Sequence, residues 1–130
     1  MSNPNLAVKE RLEKAAMSGD KEGVKACLAP DFVIYQSNGH PYGGTYKGAD
    51  GFLIFMQAMF SAYAIEGLES KGVFTSDDPN SCVFEYRMFG KAAASGQKFD
   101  TTLLEHWRFR DGKVLSVKPC WFEIPGRATK

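Results

Sequence analysis

The sequence predicts an α+β fold in which helices come first and an antiparallel sheet follows. Three observations point there. Apolar residues recur at helical spacing before Pro30 and again from Phe52 to Tyr63. The segments after Ala64 alternate apolar and polar residues, as strands do. Asp111-Gly112 sits between two such segments, where a hairpin turn belongs. Helices segregated from a meander fit α+β, and a curved sheet wrapped around the long helix would enclose a conical core.

The first helix runs from Pro4 to Ser18. Asn3 serves as N-cap, Pro4 as first helical residue, and Gly19 as the left-handed stop. Val8, Leu12, Ala15 and Ala16 form its apolar stripe. Asp20 caps a second helix through Leu28, with Val24, Cys27 and Leu28 as its buried face and Pro30 as its stop. Phe32 to Gln36 is a short strand with Phe32, Ile34 and Gln36 on one face. Ser37 to Lys47 reads as a loop, long enough to be functional, holding three glycines, Pro41, His40, Tyr42 and Tyr46. The third helix carries Phe52, Phe55, Met56, Met59, Phe60 and Tyr63 as one stripe, read as core or as the lining of a cavity.

Four strands follow: Ile65 to Thr75, Cys82 to Phe89, Lys98 to Arg110, and Lys113 to Ile124. Asp77 to Asn80 forms the first turn and Gly90 to Gln97 a loop. Pro119 is expected at an edge or a bulge. With 130 residues, no repeat and no linker, the chain is read as one domain spanning 1–130.

Composition narrows the function classes. Sixteen Lys and Arg against fifteen Asp and Glu give a net charge of +1, with neither the basic stripe of a nucleic-acid binder nor a polybasic membrane anchor. No apolar run is long enough for a transmembrane helix, and the N-terminus lacks a secretory h-region. Cys27, Cys82 and Cys120 form no CxxC pair and read as reduced thiols in a cytoplasmic protein. No phosphate-binding glycine motif is present, so no cofactor is expected. What stands out is 10 Phe, 5 Tyr and 2 Trp in a small neutral chain.

One polar residue breaks the pattern. In the strand ending at Arg110, Phe99, Thr101, Leu103, Glu105, Trp107 and Phe109 share a face. Asp100, Thr102, Leu104, His106, Arg108 and Arg110 share the other, so alternation turns Glu105 inward among apolar residues. A carboxyl there is costly unless paired or protonated, and desolvation raises its pKa. It is therefore either a structural glutamate satisfied by a cation or amides, or a general acid.

The hairpin register separates these readings. A two-residue turn places Lys118 opposite Glu105. A three-residue loop places Val117 there, with Leu115, Val117 and Trp121 on the apolar face and no neighbouring cation. Hydrophobic matching prefers the second. Gln36 is the other polar residue on an inward face, though its place at a strand end also allows exposure. His40 is expected in solvent and His106 on the outer sheet face. Two lone histidines make no metal site, and no serine or cysteine has a nucleophile's setting.

The run Gly19-Asp20-Lys21-Glu22-Gly23-Val24, then Leu28 to Ile34, then Gly44-Thr45-Tyr46-Lys47-Gly48, resembles the nuclear transport factor 2-like superfamily. Glu105 to Phe109 and Asp111 to Val114 fit its SnoaL-like and ketosteroid isomerase-like branch. The resemblance implies a cone of three N-terminal helices packed in a curved, mostly antiparallel sheet, with a pocket between them. It also implies homodimers, here through the outer sheet face with His106, Arg87, Arg108 and Phe89 as candidates. The family spans isomerases, cyclases, hydratases, epoxide hydrolases and non-catalytic binding modules, so the fold does not give the activity.

By that resemblance, Gln36 stands where ketosteroid isomerase has its base aspartate, Leu12 where it has its oxyanion tyrosine, and Glu105 where it has its oxyanion acid. Two of the three catalytic groups of that reaction are missing. The Asp-Arg-Asp set of limonene epoxide hydrolase is not evident either. In the SnoaL cyclases' pattern, Glu105 is the one candidate for the acid.

Three readings remain. In the first, a cofactor-free isomerase, cyclase or hydratase uses Glu105 on a small apolar or carbonyl-bearing molecule. Gln36 would orient that molecule, and Phe32, Ile34, Phe55, Met59, Leu12, Leu103 and Trp107 would form the walls. In the second, the same pocket binds without catalysis. In the third, a dimeric interaction module fills the interior with its own side chains.

Overall fold

The computed structural model describes residues 3–125. Helix α1 (Pro4–Ser18) starts and stops as its sequence directs: Asn3 accepts a hydrogen bond from the Asn5 amide, and Gly19 adopts φ 74°. Helix α2 (Lys21–Cys27) is capped by Asp20, whose side chain accepts from the Gly23 amide. It ends one residue earlier than expected. Leu28 already belongs to strand β1 (Leu28–Gln36), which contains Pro30. Pro30 is tolerated because pairing with β1's neighbours is irregular between Leu28 and Val33, so the missing N–H forfeits no ladder bond.

The Ser37 to Lys47 segment is not loop throughout: Gly44–Lys47 forms strand β2, antiparallel to β1, with Gln36 opposite Gly44. Helix α3 covers Gly48–Ala62, and β3 (Tyr63–Thr75) follows without a break. Phe52 and Phe55 are buried, whereas Phe60 is 49% exposed and so leaves the expected stripe. Tyr63 is buried as the first residue of β3 rather than as the last of the helix.

Strands β4 (Ser81–Ala92), β5 (Lys98–Arg110) and β6 (Lys113–Trp121) complete a six-stranded sheet of order β2-β1-β6-β5-β4-β3. The β1–β6 pair is parallel and the rest antiparallel. The sheet is curved and unclosed, a cone holding the three helices. β6 ends at Trp121, short of Ile124.

Pro119 lies in this interior strand but past the end of its pairing with β1, so it stands at a local edge of the sheet. The β1 ladder stops at Val117, so Pro119 has no ladder bond to lose on that side. On the concave face Cys82, Phe84, Tyr86 and Met88 of β4 are buried, as are Leu103, Trp107 and Phe109 of β5. Cys27, Cys82 and Cys120 are unbonded. Among the described residues no helix is long and apolar enough to cross a membrane.

Candidate functional site

The β5–β6 hairpin follows neither expected register. Asp111 and Gly112 form a two-residue turn with φ 53° and 76°, and Arg110 pairs with Lys113. A bulge at Leu115 then shifts the ladder: Phe109 faces Val114, but Arg108 faces Ser116. The bulge places Val114 in the core in place of Leu115 and still turns Val117 inward. Glu105 consequently faces Pro119, while Val117 faces Trp107. Lys118 is exposed and lies over the Tyr35 ring, 5.6 Å from its centroid, so it does not pair with Glu105.

Glu105 nevertheless has a cation nearby, and it comes from α1. Asn3 and Asn5 pin the start of that helix to the Pro79 carbonyl in the β3–β4 turn, each through a 2.9 Å bond. One turn on, Lys9 is 7% exposed and points into the cone. Its Nζ donates to the Tyr86 hydroxyl at 2.5 Å and to Glu13 Oε2 at 2.6 Å. It also lies 4.4 Å from the Phe84 ring centroid and 5.2 Å from those of Tyr86 and Trp107, within cation–π range. The preferred expectation, Glu105 without a cation, is corrected by this helix.

Cross-strand pairing puts Glu105 beside Phe84, with Trp107 two residues along the same face. Trp107 Nε1 donates to Glu105 Oε1 at 3.0 Å. Glu105 keeps some accessible surface, yet protein surrounds its carboxyl and burial pushes its pKa up. The Trp107 bond and the Lys9 charge act against that rise without cancelling it, and Glu13 adds to it. Burial also raises the Tyr86 phenol, with the nearby Glu105 and Glu13 adding to the shift. The result is a carboxyl held above its ordinary pKa, a phenol and a lysine side chain converging in an aromatic enclosure.

A second polar centre lies at the other end of the same interior. His40 is not in solvent: it is 4% exposed, with Nδ1 2.8 Å from the Tyr63 hydroxyl. Its ring stacks on Tyr42 at 4.9 Å and meets Trp121 edge-on at 4.5 Å. Burial lowers its pKa to about 4. Gln36, the last residue of β1, is buried, so the exposed alternative for it is set aside.

Of the remaining wall candidates, Leu12, Phe32, Ile34, Phe55 and Leu103 are buried in the core, and Met59 packs partly buried against it. Sequence reasoning missed Lys9, Tyr86 and the aromatic contacts of His40. A signal for Lys9 existed: Asn5, Lys9 and Leu12 fall at i, i+4 and i+7, one helix face. The outward residues behave as alternation predicts. Arg87 pairs with Asp100 and Glu69, and His106 Nε2 is 2.7 Å from the Ser81 hydroxyl. Among the described residues no three His, Cys, Asp or Glu side chains gather as a metal site.

Residues 8–117 match the family model for the SnoaL-like domain. The chain belongs to the SnoaL-like family. Solved structures agree on the SnoaL-like cone. An NTF2-like protein of unknown function from Burkholderia pseudomallei K96243 superposes with TM-score 0.73 at 24% identity, covering 93% of this chain and 92% of that one. An NTF2-like protein from Burkholderia xenovorans LB400 gives 0.78 at 16%, over 93% and 91%. A Mycobacterium tuberculosis protein in complex with estradiol-17β-hemisuccinate gives 0.68 at 19%, over 92% and 95%. At these identities the likeness carries the fold. No curated protein matches the chain.

Proposed function

We propose that this SnoaL-like chain binds a small, largely apolar, carbonyl-bearing ring molecule inside the cone, and that Glu105 acts on its oxygen as a neutral acid. The observation that carries this reading is a carboxyl held above its ordinary pKa on an aromatic interior face. Trp107 fixes Oε1, which leaves Oε2 to donate a proton or a hydrogen bond. General acid help of this kind contributes about 10²–10⁴-fold. Lys9 and Tyr86 would stabilise charge developing on the same oxygen. Gln36 would orient the molecule, and Phe32, Phe55, Met59 and Trp107 would form the walls. The chemistry suits a cofactor-free isomerase, cyclase or hydratase. The estradiol conjugate in the Mycobacterium tuberculosis relative supports a ring-shaped ligand.

The test compares wild type with Glu105→Gln. Loss of about 10²-fold or more in turnover of a carbonyl substrate, with binding retained, supports the acid role. Unchanged turnover removes it and leaves a binding protein.

One observation favours the filled-interior reading. The three surface depressions described, of about 400–520 Å³, lie away from Glu105, whose surroundings are occupied by Lys9 and aromatic rings. An interaction module of this kind would bind none of a panel of aromatic ketones.

Self-association belongs to the outer sheet face, where Leu104 is exposed beside Arg87, Phe89, His106 and Arg108. Phe122, 80% exposed, borders Arg87 and Asp100 there. Sedimentation at high concentration is expected to give a dimer, and a monomer would remove this assignment. The three unbonded cysteines support a reducing cytoplasm.

A further inference from the structure

Among the described residues, three buried side-chain polar atoms have no hydrogen-bond partner: Gln36 Oε1, His40 Nε2 and the Tyr42 hydroxyl. The three residues are between 4% and 7% exposed. Unpaired buried polar atoms are uncommon and unfavourable, because each loses water without gaining a replacement. His40 and Tyr42 stack at 4.9 Å in the turn after β1, and Gln36 ends that strand. His40 accepts from the Gly43 amide and donates its own amide to Ser37, which folds the segment back on itself.

We infer that Gln36, His40 and Tyr42 form a neutral subsite for a hydroxyl group, at the end of the interior opposite the Glu105 and Lys9 centre. The inventory of free valences dictates the group. Gln36 Oε1 only accepts, so it needs a donor. The Tyr42 hydroxyl donates, so it needs an acceptor. His40 has Nδ1 committed to Tyr63, and Nε2 takes either role according to its tautomer. A single hydroxyl offers a donor and an acceptor at one oxygen, which this set requires. A charged group does not fit: the rings packed on His40 are Tyr42, Tyr63 and Trp121, none of them charged. Burial also keeps His40 neutral at pH 7.

The spacing sets the size of the molecule. Trp121, against which His40 packs, stands opposite Leu103, one inward step along β5 from Glu105. That step is about 7 Å at strand rise. A flat body of two or three fused rings, hydroxyl at one end and carbonyl at the other, spans both centres. This subsite deepens the proposed ligand-binding function and rests on it.

The experiment is a fluorescence titration of the full chain with 6-hydroxy-2-acetonaphthone and with 2-acetonaphthone, which lacks the hydroxyl. Wild type is expected to bind the hydroxylated probe about tenfold more tightly, the effect of one well-made hydrogen bond to a desolvated partner. Tyr42→Phe should erase that preference, bringing the affinities for the two probes to within about twofold of each other. Equal affinities in wild type, or a preference that survives Tyr42→Phe, overturn the subsite while interior binding stands. If neither probe binds, interior binding fails and the subsite with it. Melting of the ligand-free variants separates a ligand from a buried water. Tyr42→Phe and Gln36→Leu should hold or raise Tm, because each removes an unpaired atom. A lowered Tm in Tyr42→Phe would show the hydroxyl already paired and overturn the inference.

Discussion

Trp107 Nε1 donates a 3.0 Å hydrogen bond to Glu105 Oε1, from two residues further along the same strand face. A strand directs such neighbours to one side, so alternation that turns Trp107 into the core also turns Glu105 there. The bond holds the carboxyl in place and favours its charged form. Burial outweighs it, and the Glu105 pKa stays raised.

Glu105→Gln should therefore stabilise the protein at neutral pH. The unfolded carboxyl ionises near 4.5 while the folded one resists. The cost of keeping Glu105 thus appears as pH rises above 4.5 and levels off above the folded pKa. Glutamine avoids it and can still accept from Trp107. Urea denaturation from pH 4 to 8 is expected to show a gain for the variant at high pH that vanishes toward pH 4.

Lys9→Met should cost stability and raise the Glu105 pKa further. The ammonium bridges Tyr86 and Glu13 and lies over three aromatic rings. Because Glu13 is half-exposed, the pair is screened, and the loss is expected at about 1–2 kcal/mol. Chemical denaturation gives the stability, and an NMR titration of the Glu105 carboxyl should show its midpoint moved upward.

His40 should make the fold acid-sensitive. Its pKa falls from 6.5 to about 4 on folding. Stability from the neutral ring is complete above pH 6.5 and lost as pH drops through 4, an effect on the order of 3 kcal/mol. Relative to His40→Phe, which keeps an aromatic ring, wild type is expected to lose that stability between pH 6.5 and 4.

Signals confined to a few residues were legible in the sequence. Asn3-Pro4 and Gly19 bound α1, Asp111-Gly112 makes the turn, and alternation turns Glu105 inward. What escaped depends on distant packing. β2 is only four residues and exists as a partner for β1. The bulge at Leu115 is set by Val114 filling the core rather than by the turn residues. Lys9 carries the charge of a surface residue, yet its long stem lets it cross the interior wall. His40 sits among glycines that suggest a solvent loop, and Tyr63 and Trp121, remote in sequence, bury it.

Gly90→Ala tests the seam between β3 and β4. A Cβ at Gly90 would stand 2.1 Å from the Ala64 carbonyl oxygen and 3.0 Å from the Glu66 amide nitrogen. Both are backbone atoms beside an irregularity in the β3–β4 ladder, so relief requires moving a strand. Thermal melting is expected to show a loss of about 1–3 kcal/mol.

The proposed acid role requires a Glu105 carboxyl that ionises above the ordinary range inside the cone. The most direct measurement is a ¹³C NMR titration of the Glu105 side-chain carboxyl in the wild-type protein. A midpoint clearly above 4.5, the ordinary glutamate value, is the predicted result. A midpoint at or below 4.5 would contradict it and leave Glu105 an ordinary ionised residue paired with Lys9.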